Sequence, residues 1–89
     1  SLSLKADLAG SLYRGKALAE AEAKVREVLA ASPGHQAALV MAGNLALDRR
    51  EWKAARQAYE KALADSPRHF EAANNLAWIL AKELGEPQK

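Results

Sequence analysis

The sequence predicts an all-α chain made of repeated antiparallel helix pairs, and three observations carry that prediction. The first is the alphabet: 21 Ala and 13 Leu among 89 residues, against one Phe, two Tyr and two Trp. These are helix formers, and the residues that strands favour are scarce. The second is internal repetition, because Pro33 and Pro67 lie 34 residues apart in matching surroundings, LAASPGH and LADSPRH. At that offset Leu29, Ala30, Ser32, Pro33 and His35 recur as Leu63, Ala64, Ser66, Pro67 and His69, with Ala21 and Ala38 recurring as Ala55 and Ala72. The third is periodicity within each unit: apolar residues return every three or four positions, the mark of a helix with one buried face.

The first unit, about 2–35, is the weaker copy. Leu8, Ala9 and Leu12 are its expected first-helix core, and Gly10 and Gly15 leave the length of that helix open, since glycine costs ~1 kcal/mol relative to alanine inside one. Ala21, Val25 and Val28 serve the second helix, and Ser32-Pro33 ends it, because a residue before proline is pushed out of the α region. The middle unit, 36–69, is the clearest. Ala38, Leu39, Ala42, Leu45 and Ala46 mark its first helix, and ALDRREW interrupts the pattern. Trp52, Ala55, Tyr59, Ala62 and Leu63 mark the second, which Ser66-Pro67 closes. A partial third unit, 70–89, holds one helix, FEAANNLAWILAKEL, before GEPQK, where a partner helix would begin. The prediction is one domain over 1–89 with five helices. Glu20/Lys24, Glu22/Arg26 and Arg56/Glu60 are expected i,i+4 pairs on outer faces, each contributing about 0.2–0.5 kcal/mol.

With Gly43 in the first helix, Ala55, Tyr59 and Ala62 in the second, and Pro67 closing the unit, the middle period resembles a tetratricopeptide repeat. Leu39 replaces the family's favoured first Trp, and Ala46 its later Tyr. Asn74, Asn75, Leu76 and Ala77 stand where the family has an Asn-Asn-Leu-Gly run. The resemblance covers essentially the whole chain at two and a half repeats. It implies a right-handed α-solenoid whose first helices line a concave surface for extended or helical peptides. Carried over by position, the implied groove residues are Val40, Asn44 and Leu47, then Asn74 and Trp78, with Tyr13 from the first unit. Asparagine amides can donate and accept to a peptide backbone, and Trp78 is the expected hot spot. Asn75 is implied to be a structural amide. The family's clamp for chaperone C-terminal carboxylates is not expected. Val40 stands at its lysine slot, and Ala6 and Gly10 fail at the opening pair of the alternative frame. The groove therefore reads as neutral and mixed.

Other chemistries find no footing in the residues. His35 and His69 occupy equivalent turns, far from i,i+4 spacing, and read as residues near helix N-termini instead of metal ligands. No positioned acid–base pair, serine with a base, or glycine loop suited to phosphate is present, so the expectation is no enzyme, no metal and no cofactor. Arg49, Arg50, Lys53 and Arg56 form the densest basic segment and read as a solvated surface. Net charge is +2, with 13 basic residues scattered among 11 acidic ones, and no basic stripe with interleaved aromatics points to nucleic acid. No run approaches 18 apolar residues, so no membrane insertion is expected.

SLSLKADLAG lacks the basic flank and apolar core of a signal peptide. Zero cysteines exclude a disulfide framework and choose no compartment. The alanine content looks bacterial, with cytoplasm and periplasm equal alternatives. The leading function is a protein or peptide interaction module. The second is a scaffold segment that self-associates through an open last helix, as a homodimer through Leu76, Ile79 and Leu80, with Leu84 adding to that apolar face. A base-reading nucleic-acid repeat is disfavoured by the 34-residue period and the uncharged groove positions. A part cut from a longer array, or from an enzyme's regulatory arm, fits the same chain.

Overall fold

The computed structural model of the chain describes residues 2–85. It contains five helices in order: α1 (Leu2–Arg14), α2 (Leu18–Ala31), α3 (Gln36–Asp48), α4 (Trp52–Asp65) and α5 (Phe70–Gly85). Each helix packs on the next, and α3 also touches α1 and α5. The odd-numbered helices therefore stand side by side in one row, with α2 and α4 behind them. Residues 86–89, where the sequence predicts a further helix would begin, lie outside the described residues, as does the side chain of Leu84.

Both kinds of turn repeat bond for bond at an offset of 34. After α1, the amides of Gly15, Lys16 and Ala17 donate to the carbonyls of Ser11, Tyr13 and Leu12 at 3.0, 3.0 and 2.8 Å. After α3, Arg49, Arg50 and Glu51 do the same to Leu45, Leu47 and Ala46 at 3.3, 3.0 and 2.9 Å. This is the Schellman closure of a helix end, and it puts Lys16 (φ 68°) and Arg50 (φ 60°) in the left-handed region. The turns between units match as well. Nδ1 of His35 accepts from the Ala38 amide at 3.4 Å, and Nδ1 of His69 accepts from the Ala72 amide at 3.4 Å. The two histidines thus cap α3 and α5, satisfying amides that a helix start leaves open.

The core forms two clusters joined by Leu29. One gathers Leu39, Ala55, Tyr59, Ala62, Ala72 and Ile79; the other holds Ala9, Ala21, Val25 and Leu45. Alanine supplies eight of the 15 buried hydrophobic residues among those described, so the helix backbones approach closely. Gly10 is accommodated in this way: α1 runs through it to Arg14, and Gly15 lies in the turn that ends the helix. Gly43 is required. A Cβ there would stand 2.5 Å from Cε1 and 2.7 Å from Cζ of Tyr59, whose ring is fully buried.

Three expectations are corrected. Leu8 is 46% exposed, because α1 meets only α2 and α3 and uses Ala6 and Ala9 for the buried contact. Ile79 is 0% exposed, since it belongs to the core that α4 and α5 enclose, so it offers nothing to a second copy. The ion pairs run between helices more than along them. Arg49 grips Glu22 through both guanidinium nitrogens at 2.7 Å, and Arg56 reaches Glu83 at 3.1 Å instead of Glu60. Glu22 keeps its expected partner Arg26 at 3.3 Å, while Lys24 turns to Glu27 at 3.6 Å instead of Glu20. Two members of the basic segment therefore tie one unit to another.

Gly43→Ala is expected to cost about 1–3 kcal/mol in urea unfolding, because the buried ring cannot withdraw, despite alanine's better helix propensity. Arg50→Gly is expected to act in the opposite sense, raising stability by up to about 1 kcal/mol, since its left-handed backbone strains a side chain. A shift of the unfolding midpoint in the wrong direction would refute either statement.

Candidate partner-binding groove

The first-helix row leaves a cleft of about 340 Å³ where α1, α3 and the start of α5 converge. Ala6 and Gly10 of α1 and Ala37 and Val40 of α3 make a floor of small side chains. Asp7, Arg14, Met41 and Glu71 stand around it. The same helix faces continue by i,i+4 spacing from Val40 to Asn44 and Asp48, and from Asn74 through Trp78 to Lys82. The cleft thus lies at the start of the helix rows that carry Asn44, Asp48 and Trp78.

The expected groove residues differ in what they offer. Trp78 is 51% exposed, with its ring centroid 5.7 Å from that of Trp52 at a tilt of 54°. The ammonium of Lys82 lies 5.6 Å from the Trp78 centroid, within cation–π range. Asn74 is exposed, Leu47 is half-buried against the core, and Tyr13 is half-buried beside the second cluster. Val40, 4% exposed, can serve only as floor.

Asn44 departs from expectation most. It is 7% exposed, and both its amide oxygen and its amide nitrogen hold partners within the chain. Its Oδ1 accepts from the Tyr59 hydroxyl at 2.5 Å and from Nδ2 of Asn75 at 3.1 Å, and its Nδ2 donates to Oε2 of Glu71 at 3.0 Å. Nδ2 of Asn75 also donates to the Tyr59 oxygen at 3.2 Å. Asn44 and Asn75 are therefore core connectors among α3, α4 and α5. The buried hydroxyl explains the arrangement, since an unpaired polar group there would carry its full desolvation cost.

The electrostatics of the groove come from residues the sequence reading passed over. Burial, together with a hydrogen bond to Asp48 and the negative charge of Asp48 and Glu71, pushes the Tyr13 hydroxyl up to about 12. Burial likewise pushes Tyr59 to about 12, opposed by the Asn75 hydrogen bond and helped by Glu71, Tyr13 and Asp48. Asp48 and Glu71 thus place negative potential inside the groove. Asp48 follows Asn44 by four residues and Glu71 follows Ala37 by one full 34-residue period, so helical rows and the repeat together could have located both. Among the described residues, no group of three His, Cys, Asp or Glu side chains is placed to hold a metal ion.

Two outcomes test this geometry. Tyr59→Phe is expected to lower stability by about 1 kcal/mol, and Asn44→Ala by more, because it removes the acceptor of the buried Tyr59 hydroxyl and one of the two acceptors of the Asn75 amide. A double-mutant cycle between the two should show coupling well outside additivity. Both tyrosines also ionise later when folded. Their stabilising contribution is full below pH ~10 and is lost as pH rises through about 12. Phenolate absorbance in the folded chain should lag behind that of the urea-unfolded chain; coincident titrations would contradict it.

A family model for the tetratricopeptide repeat matches residues 40–89, more than half of the chain. Neither the curated proteins nor the solved structures give a significant match. The matched stretch holds Gly43, Ala55, Tyr59, Ala62 and Pro67, and the turns of residues 15–17 repeat the geometry of residues 49–51 outside it. The chain belongs to the tetratricopeptide repeat family.

Proposed function

We propose that the chain is a non-catalytic interaction module that binds a peptide segment of a partner protein in the groove formed by α1, α3 and α5, within a right-handed solenoid. Tetratricopeptide repeats generally mediate protein–protein interaction, and the groove gives that role a place on this chain. The observation that carries the proposal is Trp78. A half-exposed indole, backed by Trp52 and set on the groove-facing row of α5, offers apolar area that its own chain leaves uncovered. Asn74 and Tyr13 supply polar contacts, Val40 and Leu47 supply floor, and Asn44 acts from behind by holding Glu71. No described helix is long and apolar enough to cross a membrane.

A second reading makes the chain a scaffold segment that self-associates through α5. Leu80, 38% exposed, and Phe70, 78% exposed, favour it. With Ile79 buried, that face reduces to Leu80, the half-buried Leu76 and neighbouring alanines.

Random-peptide display against the whole chain, followed by fluorescence anisotropy on the selected peptides, separates the two. Trp78→Ala is expected to weaken those peptides by about tenfold or more, with helical circular dichroism and light-scattering mass unchanged. A concentration-dependent mass abolished by Leu80→Glu, with no peptide sensitive to Trp78→Ala, would replace the groove with the scaffold reading.

A further inference from the structure

We infer that the partner segment is cationic: a stretch bearing lysine or arginine beside apolar side chains, with its charges against Asp48, Glu71 and Asp7. This rests on the groove proposal and adds the partner's chemistry to it.

The argument starts from which carboxylates are already neutralised. Away from the groove, Glu22, Glu27 and Glu83 each hold an arginine or lysine within 4.0 Å, while Glu20, Glu51, Glu60 and Asp65 stand apart from one another on outer surfaces without such a partner among the described residues. Within the groove, no lysine or arginine of the described residues comes that close to Asp7, Asp48 or Glu71. Two cations stand on the groove faces against these three carboxylates. Arg14 folds back over the cleft floor, its Nη1 3.4 Å from where a Cβ on Gly10 would stand, and Lys82 lies over Trp78. The charged groups that raise the Tyr13 hydroxyl beyond the effect of burial are Asp48 and Glu71, both negative, although the whole chain carries a net charge of +2.

Two further features bear on the kind of partner. Glu71 is oriented from behind by Asn44, a side chain buried to 7% exposure and itself fixed by Tyr59 and Asn75. Its carboxylate is therefore held in place before any partner arrives, which lowers the ordering cost of binding. Lys82 also shows that the exposed face of Trp78 accepts an ammonium, so a partner's lysine or arginine competing for that face meets a compatible surface. An acidic segment would set its charges against three unneutralised carboxylates, and electrostatic complementarity of this kind selects partners and accelerates encounter.

The test scores the net charge of display-selected peptides against the unselected library, then measures each by anisotropy at low and high salt. Expected are peptides enriched in Lys and Arg and weakened by salt. Asp48→Asn combined with Glu71→Gln should weaken them about tenfold, and Glu60→Gln on α4 should not. Both groove substitutions keep an acceptor for Tyr13 and Asn44, and unchanged circular dichroism confirms that the fold is retained. Neutral or acidic peptides that lose binding on Trp78→Ala would overturn the cationic partner and leave the groove standing. No Trp78-dependent peptide at all would overturn both.

Discussion

The contact between the Tyr59 ring and the bare Cα of Gly43 is the constraint on which the rest of the molecule depends. A core this rich in alanine has little bulk with which to separate its helices, and Tyr59 is the largest of its fully buried side chains. The ring can sit there only because α3 presents hydrogen where other residues present carbon. Burying the ring also buries its hydroxyl, and the hydroxyl requires acceptors and donors in a region without water. Asn44 and Asn75 supply them, bringing α3 and α5 into register on α4. One aromatic residue thereby fixes the spacing of a helix pair and the docking of the helix that follows.

Much of this was legible because repetition amplifies weak signals. The proline turns, the small residue at Gly43 and the aromatic at Tyr59 recur or pair at a fixed period. Helix number and order, and the ends of α3, α4 and α5, could therefore be read within a residue or two, while the length of α1 stayed open. Side-chain partners were less legible. Arg56 prefers Glu83 of the next unit to Glu60 on its own helix, and Arg49 prefers Glu22 of the previous one, choices made by tertiary proximity that local spacing does not encode. Asn44 illustrates the same limit. It lies on the helical row from Val40 to Asp48, yet its amide faces inward because a buried tyrosine hydroxyl 15 residues away needs it. Ile79 looked like surplus apolar surface until α4 was folded over it.

The groove inherits its chemistry from these structural choices. Its floor is smooth because close helix packing demands small residues, and its walls carry charge because the row continues past the core. The polar network that stabilises the centre ends at the Glu71 carboxylate, so core and binding surface share one hydrogen-bonded chain of atoms. Disturbing the centre therefore reorients a surface charge, and stability and recognition are coupled through Asn44.

The attachment of α1 has a different consequence. Leu4 and Leu8 are 69% and 46% exposed, and the helix is fastened through Ala6 and Ala9, the half-buried Leu12 and Tyr13, and an outer pair between Lys5 and Glu27 at 3.0 Å. In a linear array each unit is held by its neighbours, and among the described helices α1 is held by α2 and α3. That helix is also one wall of the groove. The packing of α1 on α3 and the shape of the groove are then one and the same contact, so a partner that bridges the two helices also holds them together.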